Sequence, residues 1–489
     1  MKILFAAGEA APFIKSGGLG DVAGALPPEL NRIKDNEVCV ILPYYGKVKF
    51  GTAADAEFVT SFYMPLAWRS VYAGVFKKTI KGGGVGKNRR PDLTYYFIDN
   101  EYYFCRDDAP YGYNDDGERF AFFSKAVLEV INHIDFCPDI IHCNDWQTGF
   151  VPLLLKALYG YSARHEHIKT VFTIHNIEYQ GKAEPDFLTE VLGVSESWRN
   201  AATFDGMINA LKCAIVLSDK ITTVSDTYAH ELSYAYFAYG LENILSENRY
   251  KTCGIVNGID TKLFNPETDK TIPYNFKPTD LGGKGGCKEN LQRSMGLPVR
   301  GDVPVVAMIS RLVGHKGFEL VERVASDLVN MDIQLVVLGT GDRRFEDLFN
   351  FLAYSHPDKV AAHITFDAAL ANRIYAGADF FLMPSKSEPC GLSQLIAMRY
   401  GTIPIVRETG GLVDTVPPIN TETLEGRGFT FKAFNAHDML DAVRRAADFY
   451  RDRDRLDKFR ANIMRYDSSW KVPAELYNGI YKELTGQQS

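Results

Sequence analysis

Residues able to grip phosphate or sugar recur in this chain just after short apolar runs. The first is Glu9-Ala-Ala-Pro-Phe-Ile-Lys15-Ser-Gly17-Gly18-Leu-Gly-Asp21-Val22, which follows Ile3-Leu4-Phe5-Ala6-Ala7. The apolar run reads as a buried strand, and about Leu19 to Leu30 reads as a helix. Lys15, Gly17 and Gly18 therefore fall on a strand-to-helix loop. Such a loop aims backbone N–H groups and the positive end of a helix dipole at one point. Bare glycines let a ligand approach the backbone, and the lysine adds a positive charge. This is chemistry for a phosphate or pyrophosphate, although an ordinary glycine-rich turn with a solvated lysine would read the same way.

The second half repeats the design. Ser310-Arg311-Leu-Val-Gly-His-Lys316-Gly317 places a guanidinium and an ammonium after an apolar run; the first suits a bidentate phosphate clamp and the second a point charge. Ser387-Glu388-Pro-Cys390-Gly391-Leu392-Ser-Gln394 offers a carboxylate that can accept from two adjacent sugar hydroxyls. Thr409-Gly410-Gly411-Leu-Val-Asp-Thr415 adds bare amides. Each motif alone is weak, but their convergence on neighbouring strand ends is not. In the first half, His142-Cys-Asn-Asp145-Trp146-Gln147 and His175-Asn176-Ile-Glu-Tyr179-Gln-Gly181 also end strands. Trp146 and Tyr179 could stack on sugar rings. Asp145, His175 and Asn176 would share a sheet edge with Glu9, Lys15 and Asp21. A single histidine at a strand end is more often structural than catalytic. There is no Gly-x-Ser-x-Gly elbow.

The elements that must position these groups alternate. Val38–Leu42, Leu93–Ile98, Ile140–His142, Thr170–Ile174 and Lys220–Val224 read as strands, and the pattern restarts with Pro304–Ile309, Gln334–Leu338, Ala378–Met383 and Thr402–Val406. Apolar strands alternating with helices predict parallel sheets covered on both faces. Two such sets in 489 residues predict an α/β chain of two doubly wound, Rossmann-like domains. The boundary is expected between 250 and 251, with Gly254–Asn257 opening the second domain, which runs to 469. A helix at about 470–489 returns to the first. Pro273–Cys287 reads as a loop, with Gly282-Gly-Lys-Gly-Gly286 as a linker or mobile loop. Lys81-Gly-Gly-Gly-Val-Gly-Lys-Asn88 imitates a phosphate loop but has Asn88 where Ser or Thr must meet magnesium, and reads as a hairpin tip. A net charge of −7 gives no basic field for nucleic acid. The eight cysteines form no C-x-x-C pair and no zinc spacing, which favours free thiols in a reducing cytoplasm. No apolar run reaches membrane-spanning length, and the N-terminus has no signal-peptide pattern.

With these residues assembled, the chain closely resembles the bacterial glycogen synthases, retaining GT-B enzymes related to plant starch synthases. The match runs from Met1 to about Leu484 and adds Asn257-Gly-Ile-Asp260 and Gly339-Thr-Gly-Asp342 to the motifs above. The resemblance implies two domains facing across a deep cleft. It implies glucose transfer from ADP-glucose to the non-reducing 4-hydroxyl of an α-1,4-glucan, with retention and with neither metal nor cofactor. Lys15, Gly18, Arg311 and Lys316 would lie at the donor phosphates, supported by Thr409, Gly410 and Gly411. Glu388 would hold glucose hydroxyls, and His175 would sit at the reacting carbon. Asp145 and Trp146 would orient sugar or acceptor. Glu9, Asp21, Asn176, Asn257, Phe366, Cys390, Gly391 and Leu392 would complete the substrate site. Cys390 could be a reactive thiol or a buried, inert one. Three positions depart from the family pattern. Ser16 stands for Thr, Phe366 for a Tyr that stacks on adenine, and Ile396 for the second Glu of the wider GT-B motif. Another donor, a phosphorylase reaction or a non-catalytic glucan-binding role remain as alternatives. No nucleic-acid or membrane partner is expected.

Overall fold

A computed structural model describes residues 1–83, 91–106 and 109–487. The phosphate-loop mimic at Lys81–Asn88, read as a hairpin tip, falls partly on 84–90, outside the described residues. The chain forms two compact units. The first comprises Met1–Val224, Ala229–Asn257 and Trp470–Ser489; the second comprises Ser225–Tyr228 and Gly258–Ser469.

The first unit is built on a nine-stranded sheet. From one edge, its strands run Thr252–Gly254, Lys220–Thr223, Lys169–Ile174, Ile140–Asn144, Lys2–Ala6, Glu37–Pro43 and Leu93–Asp99, all paired in parallel. An antiparallel hairpin, Arg69–Ile80 with Glu57–Leu66, completes the other edge. The central strands are apolar on both faces because helices cover both: Ile3, Leu4, Phe5, Val40, Ile41, Ile140 and Ile141 have no exposed surface. The C-terminal helix Lys471–Thr485 packs on helix Gly18–Leu30. Its Tyr481 hydroxyl lies 2.7 Å from His142 Nδ1, inside the core.

The second unit has a six-stranded parallel sheet ordered Val360–His363, Gln334–Leu338, Val305–Ile309, Phe380–Met383, Ile403–Arg407, Phe429–Phe431. Numbered within the unit, this is the 3-2-1-4-5-6 order of a dinucleotide-binding sheet. The order of strand addition reverses between the first and fourth strands, the parallel neighbours Val305–Ile309 and Phe380–Met383. In the first unit the same reversal falls between Lys2–Ala6 and Ile140–Asn144. Open sheets bind ligands outside the carboxyl ends of the strands at such a point.

Two expectations are corrected. Thr252–Gly254 is the edge strand of the first sheet, paired with Lys220–Thr223, so the boundary moves from 250/251 to 257/258. The glycine-rich stretch expected as a linker begins a helix, Gly282–Ser294. Its glycines cost about 1 kcal/mol each relative to Ala in a helix, but close packing and buried polar contacts outweigh this. A Cβ on Gly283 would stand 2.3 Å from the Asn275 carbonyl, and one on Gly286 would stand 2.7 Å from the Tyr274 ring. Lys284 Nζ donates to the carbonyls of Ala376 (3.1 Å) and Tyr400 (2.8 Å) and to Thr402 Oγ1 (2.9 Å). Lys288 pairs with the buried Asp379 at 2.7 Å.

Candidate active site

In the first unit the loop after Lys2–Ala6 is organised by Glu9. This carboxylate is buried and accepts from Ser16 N (2.7 Å), Ser16 Oγ (2.6 Å) and Gly20 N (3.0 Å). Burial raises its pKa, and the bonds from Ser16 and Gly20 restrain that rise. Glu9 therefore shapes the loop from beneath. Ser16, the departure from Thr, keeps the hydroxyl this bond needs. Helix Gly18–Leu30 starts at Gly18, with Gly17 as its N-cap; a Cβ on Gly18 would meet nothing within 4 Å, so the helix start is open. Lys15 Nζ bonds Asp21 Oδ1 at 2.6 Å, and both side chains are partly exposed.

Across the switch point, the strand Ile140–Asn144 delivers Asn144 and Asp145. Asp145 has φ 54° and ψ −179°, a backbone region that is nearly the preserve of glycine. Its Oδ1 accepts from His175 N at 2.7 Å and Asn176 N at 3.4 Å. Burial pushes this carboxyl up to about 7. The strained residue thus anchors the histidine loop by its backbone. His175 Nε2 lies 2.9 Å from Asn144 Oδ1. The Asn144 amide nitrogen donates to the carbonyls of Ala6 (3.0 Å) and His142 (3.3 Å). Its oxygen must then be the acceptor, which places the His175 proton on Nε2 and leaves Nδ1 without one. Burial lowers the His175 pKa to about 3, so the ring is neutral.

His142 is a core group: Thr173 Oγ1 lies 2.6 Å from its Nε2, and burial also lowers its pKa to about 3. Trp146 packs edge-on to Phe120 at 5.1 Å and against Gly181, where a Cβ would come within 2.4 Å of the indole. The indole therefore also wedges the histidine loop. Asn176 Oδ1 caps a turn by accepting from Glu178 N at 3.0 Å.

In the second unit, Leu312 N donates to Thr340 O at 2.8 Å and Asp342 N to Leu312 O at 2.7 Å. This brings Gly339-Thr-Gly-Asp342 against the Arg311 loop. A Cβ on Gly339 would stand 1.9 Å from Ser310 O, which explains the glycine. Arg311 is exposed, and its guanidinium has no hydrogen-bond or ion-pair partner among the described residues. Lys316 spans the switch point to Glu388, with Nζ 2.9 Å from Oε1 and 2.7 Å from Oε2; Ser385 Oγ donates to Oε2 at 2.9 Å. Burial, then the neighbouring Lys316, lowers the His315 pKa to about 4.

Gln394, fully buried, knits this region together. Its Nε2 donates to Cys390 O (3.0 Å), Gly391 O (2.9 Å) and Thr415 Oγ1 (3.0 Å). Cys390 and Thr409 are buried, and Leu392 N-caps helix Ser393–Arg399. The amide expected from Gly411 is already engaged: it donates to Glu388 O at 3.0 Å and Pro389 O at 3.1 Å. Gly411 therefore shapes the loop and has no free N–H to offer. Ile396 lies in the core, so no ribose-binding carboxylate belongs there. The Phe366 ring is 84% exposed. Asn257 is buried, and its Oδ1 has no partner among the described residues. The same holds for Gln147 Oε1 and the Tyr111 hydroxyl. Asn144, Gln147, Tyr111 and Gln394 were not singled out from sequence. Asn144, Gln147 and Gln394 stood inside the quoted motifs, but nothing marked their bonding needs.

Residues 2–247 match the family described as Starch synthase catalytic domain, and residues 294–463 match Glycosyl transferases group 1. The chain is 46% identical over 486 residues to the glycogen synthase of Ligilactobacillus salivarius (strain UCC118), covering 99% of this chain and 100% of that one. Identity to the Bacillus anthracis glycogen synthase is also 46% over 486 residues, with the same coverage. The chain belongs to the glycogen and starch synthase family. The solved catalytic domain of starch synthase IV from Arabidopsis thaliana, bound to ADP and acarbose, matches with a TM-score of 0.89 and 33% identity over 99% of each chain. The fold of this glycogen/starch synthase is GT-B, with two doubly wound domains. Among the described residues, no helix is long and apolar enough to cross a membrane, and no group of three or more His, Cys, Asp or Glu side chains could hold a metal ion.

Proposed function

We propose that this family member transfers glucose from ADP-glucose to the non-reducing 4-hydroxyl of an α-1,4-glucan, with retention of anomeric configuration. The observation that carries the reading is the charge placement at the two switch points. One unit sets Lys15 beside an open helix start, and the other sets Lys316 against Glu388 with the exposed Arg311 on the same loop as Lys316. Breaking an anomeric bond to a diphosphate builds negative charge on the leaving group and positive charge on the sugar. Preorganised cations stabilise the first without a metal. In this reading Arg311 and Lys15 meet the phosphates. Lys316 is shared between phosphate and Glu388, and Glu388, oriented by Lys316 and Ser385, accepts from glucose hydroxyls. Phe366 offers a ring face to the adenine, and Asn257 Oδ1 accepts from the nucleoside. Neutral His175 faces the sugar without adding a repelling cation to an oxocarbenium-like centre. The acceptor hydroxyl attacks from the leaving-group side. ADP and acarbose in the Arabidopsis relative support both a nucleotide and a glucan-like ligand.

The deciding experiment is transfer of labelled glucose to glycogen from ADP-glucose against UDP-glucose, with and without EDTA. Preferred use of ADP-glucose, undiminished by EDTA, is expected. Equal or better use of UDP-glucose would refute the donor assignment, and EDTA inhibition would refute the metal-free mechanism.

A further inference from the structure

The loop that carries His175 continues into Tyr179, whose ring is 48% exposed. A second segment of the same unit, Ser233-Tyr-Ala-Tyr-Phe-Ala-Tyr239, brings Tyr236 and Tyr239 to the surface, 59% and 47% exposed. Gln180 binds the two segments together: its Nε2 donates to Tyr239 O at 3.1 Å, while its Oε1 accepts from Asn209 Nδ2 at 2.8 Å. Tyr239 has φ 50° and ψ 39°, a left-handed conformation that is unusual for a bulky side chain. Burial, and then the nearby Glu178, Tyr179 and Tyr236, raises the pKa of the Tyr239 hydroxyl, which places these four groups in one neighbourhood. Tyr236 is braced by the edge of Phe237 at 4.8 Å.

We infer that Tyr179, Tyr236 and Tyr239 form a platform for the acceptor glucan chain, with Gln180 as the positioning residue that holds it in register with His175. Tyrosine presents a flat apolar face to a sugar ring and a hydroxyl to its substituents, at low conformational cost. The neighbouring Glu178 carboxylate selects the occupant. It repels a diphosphate donor but tolerates a neutral glucan. The inference rests on the glucan-transfer reading above and adds to it the residues that recognise the acceptor.

Steady-state kinetics with ADP-glucose and a maltooligosaccharide series test this on the full chain. Tyr236→Ala and Tyr179→Ala should each raise the acceptor KM about tenfold, roughly the 1.4 kcal/mol of one lost stacking contact, while the donor KM stays within about twofold. Tyr236→Phe, which keeps the ring, should restore most of the acceptor KM and also covers the case in which an alanine variant misfolds. Unchanged acceptor KM in both alanine variants overturns the platform, as does a parallel rise in donor and acceptor KM. A change in sedimentation coefficient with no change in acceptor KM would assign the rings to a second copy of the chain and likewise overturn it. Failure of the wild-type protein to transfer glucose at all would instead refute the underlying reaction.

Discussion

Lys316 reaches across the switch point of the second sheet and places its ammonium 2.9 and 2.7 Å from the two oxygens of Glu388. The two residues lie on loops after different strands, 72 positions apart, so the pair exists only because Val305–Ile309 and Phe380–Met383 are neighbours. Glu388 is buried, and an unpaired carboxylate there would be costly. Lys316→Met should therefore lose stability as well as activity, and Lys316→Met/Glu388→Gln should recover stability without activity. A double-mutant cycle on unfolding midpoints and kcat checks this. Recovery of both together would show that the pair is only structural.

Arg311 should behave differently. Its guanidinium has no hydrogen-bond or ion-pair partner among the described residues, so Arg311→Ala should leave the unfolding midpoint near that of the wild type. It should lower kcat by about 10²-fold, as does loss of one oxyanion donor. Near-normal kcat would remove Arg311 from the leaving-group site.

His175→Ala should nearly abolish turnover while donor binding, measured calorimetrically, is largely retained, because the ring acts on charge that develops later. Asn144→Ala, which frees the Nε2 proton, should lower kcat about 10- to 100-fold, as loss of a positioning partner does elsewhere. Lost donor affinity in His175→Ala would make the ring a binding group.

Acid should destabilise the first unit. His142 and His175 are lowered to about 3 from an ordinary 6.5. Between those values the unfolded chain binds two protons that the folded one does not. Each histidine then contributes a stability loss of about 1.4 kcal/mol per pH unit as pH falls. Asp145, raised to about 7 from 3.8, works in the opposite sense over 3.8–7, because there the folded carboxyl holds the extra proton. Two against one leaves a net loss as pH falls below 6.5, opposed further toward the acid end by Glu9 and Asp21, whose pKa values burial also raises. Unfolding midpoints from pH 4 to 8 should show it, and His142→Gln should flatten the slope. An unchanged slope would mean that His142 is not the titrating group.

Cys390 is buried, whereas Cys105, Cys137 and Cys253 are partly exposed. Iodoacetamide on the native protein should label the latter three first and leave activity largely intact, with peptide mapping as the readout. Early labelling at Cys390, blocked by ADP-glucose, would instead restore the reactive-thiol alternative.

The sequence by itself determined which loops carry chemistry. Apolar strands alternating with helices force parallel sheets, and in such sheets strand-end loops at a reversal of order meet the ligand, so Lys15, Asp145, Arg311 and Glu388 were legible as site candidates. It did not determine partners distant in the chain. The Lys316–Glu388 pair, the proton on His175 fixed by Asn144, and the Gly411 amide already given to Glu388 depend on which strands become neighbours and on how every buried polar group finds a partner. Local composition misled at Gly282–Gly286. Four glycines there argue against a helix, yet only residues lacking a Cβ let that helix lie against Tyr274–Phe276 while Lys284 reaches its buried carbonyls. Thr252–Gly254 likewise closes the first sheet rather than opening the second, because Lys220–Thr223 offers an unpaired edge beside it, a fact of packing that no local pattern records.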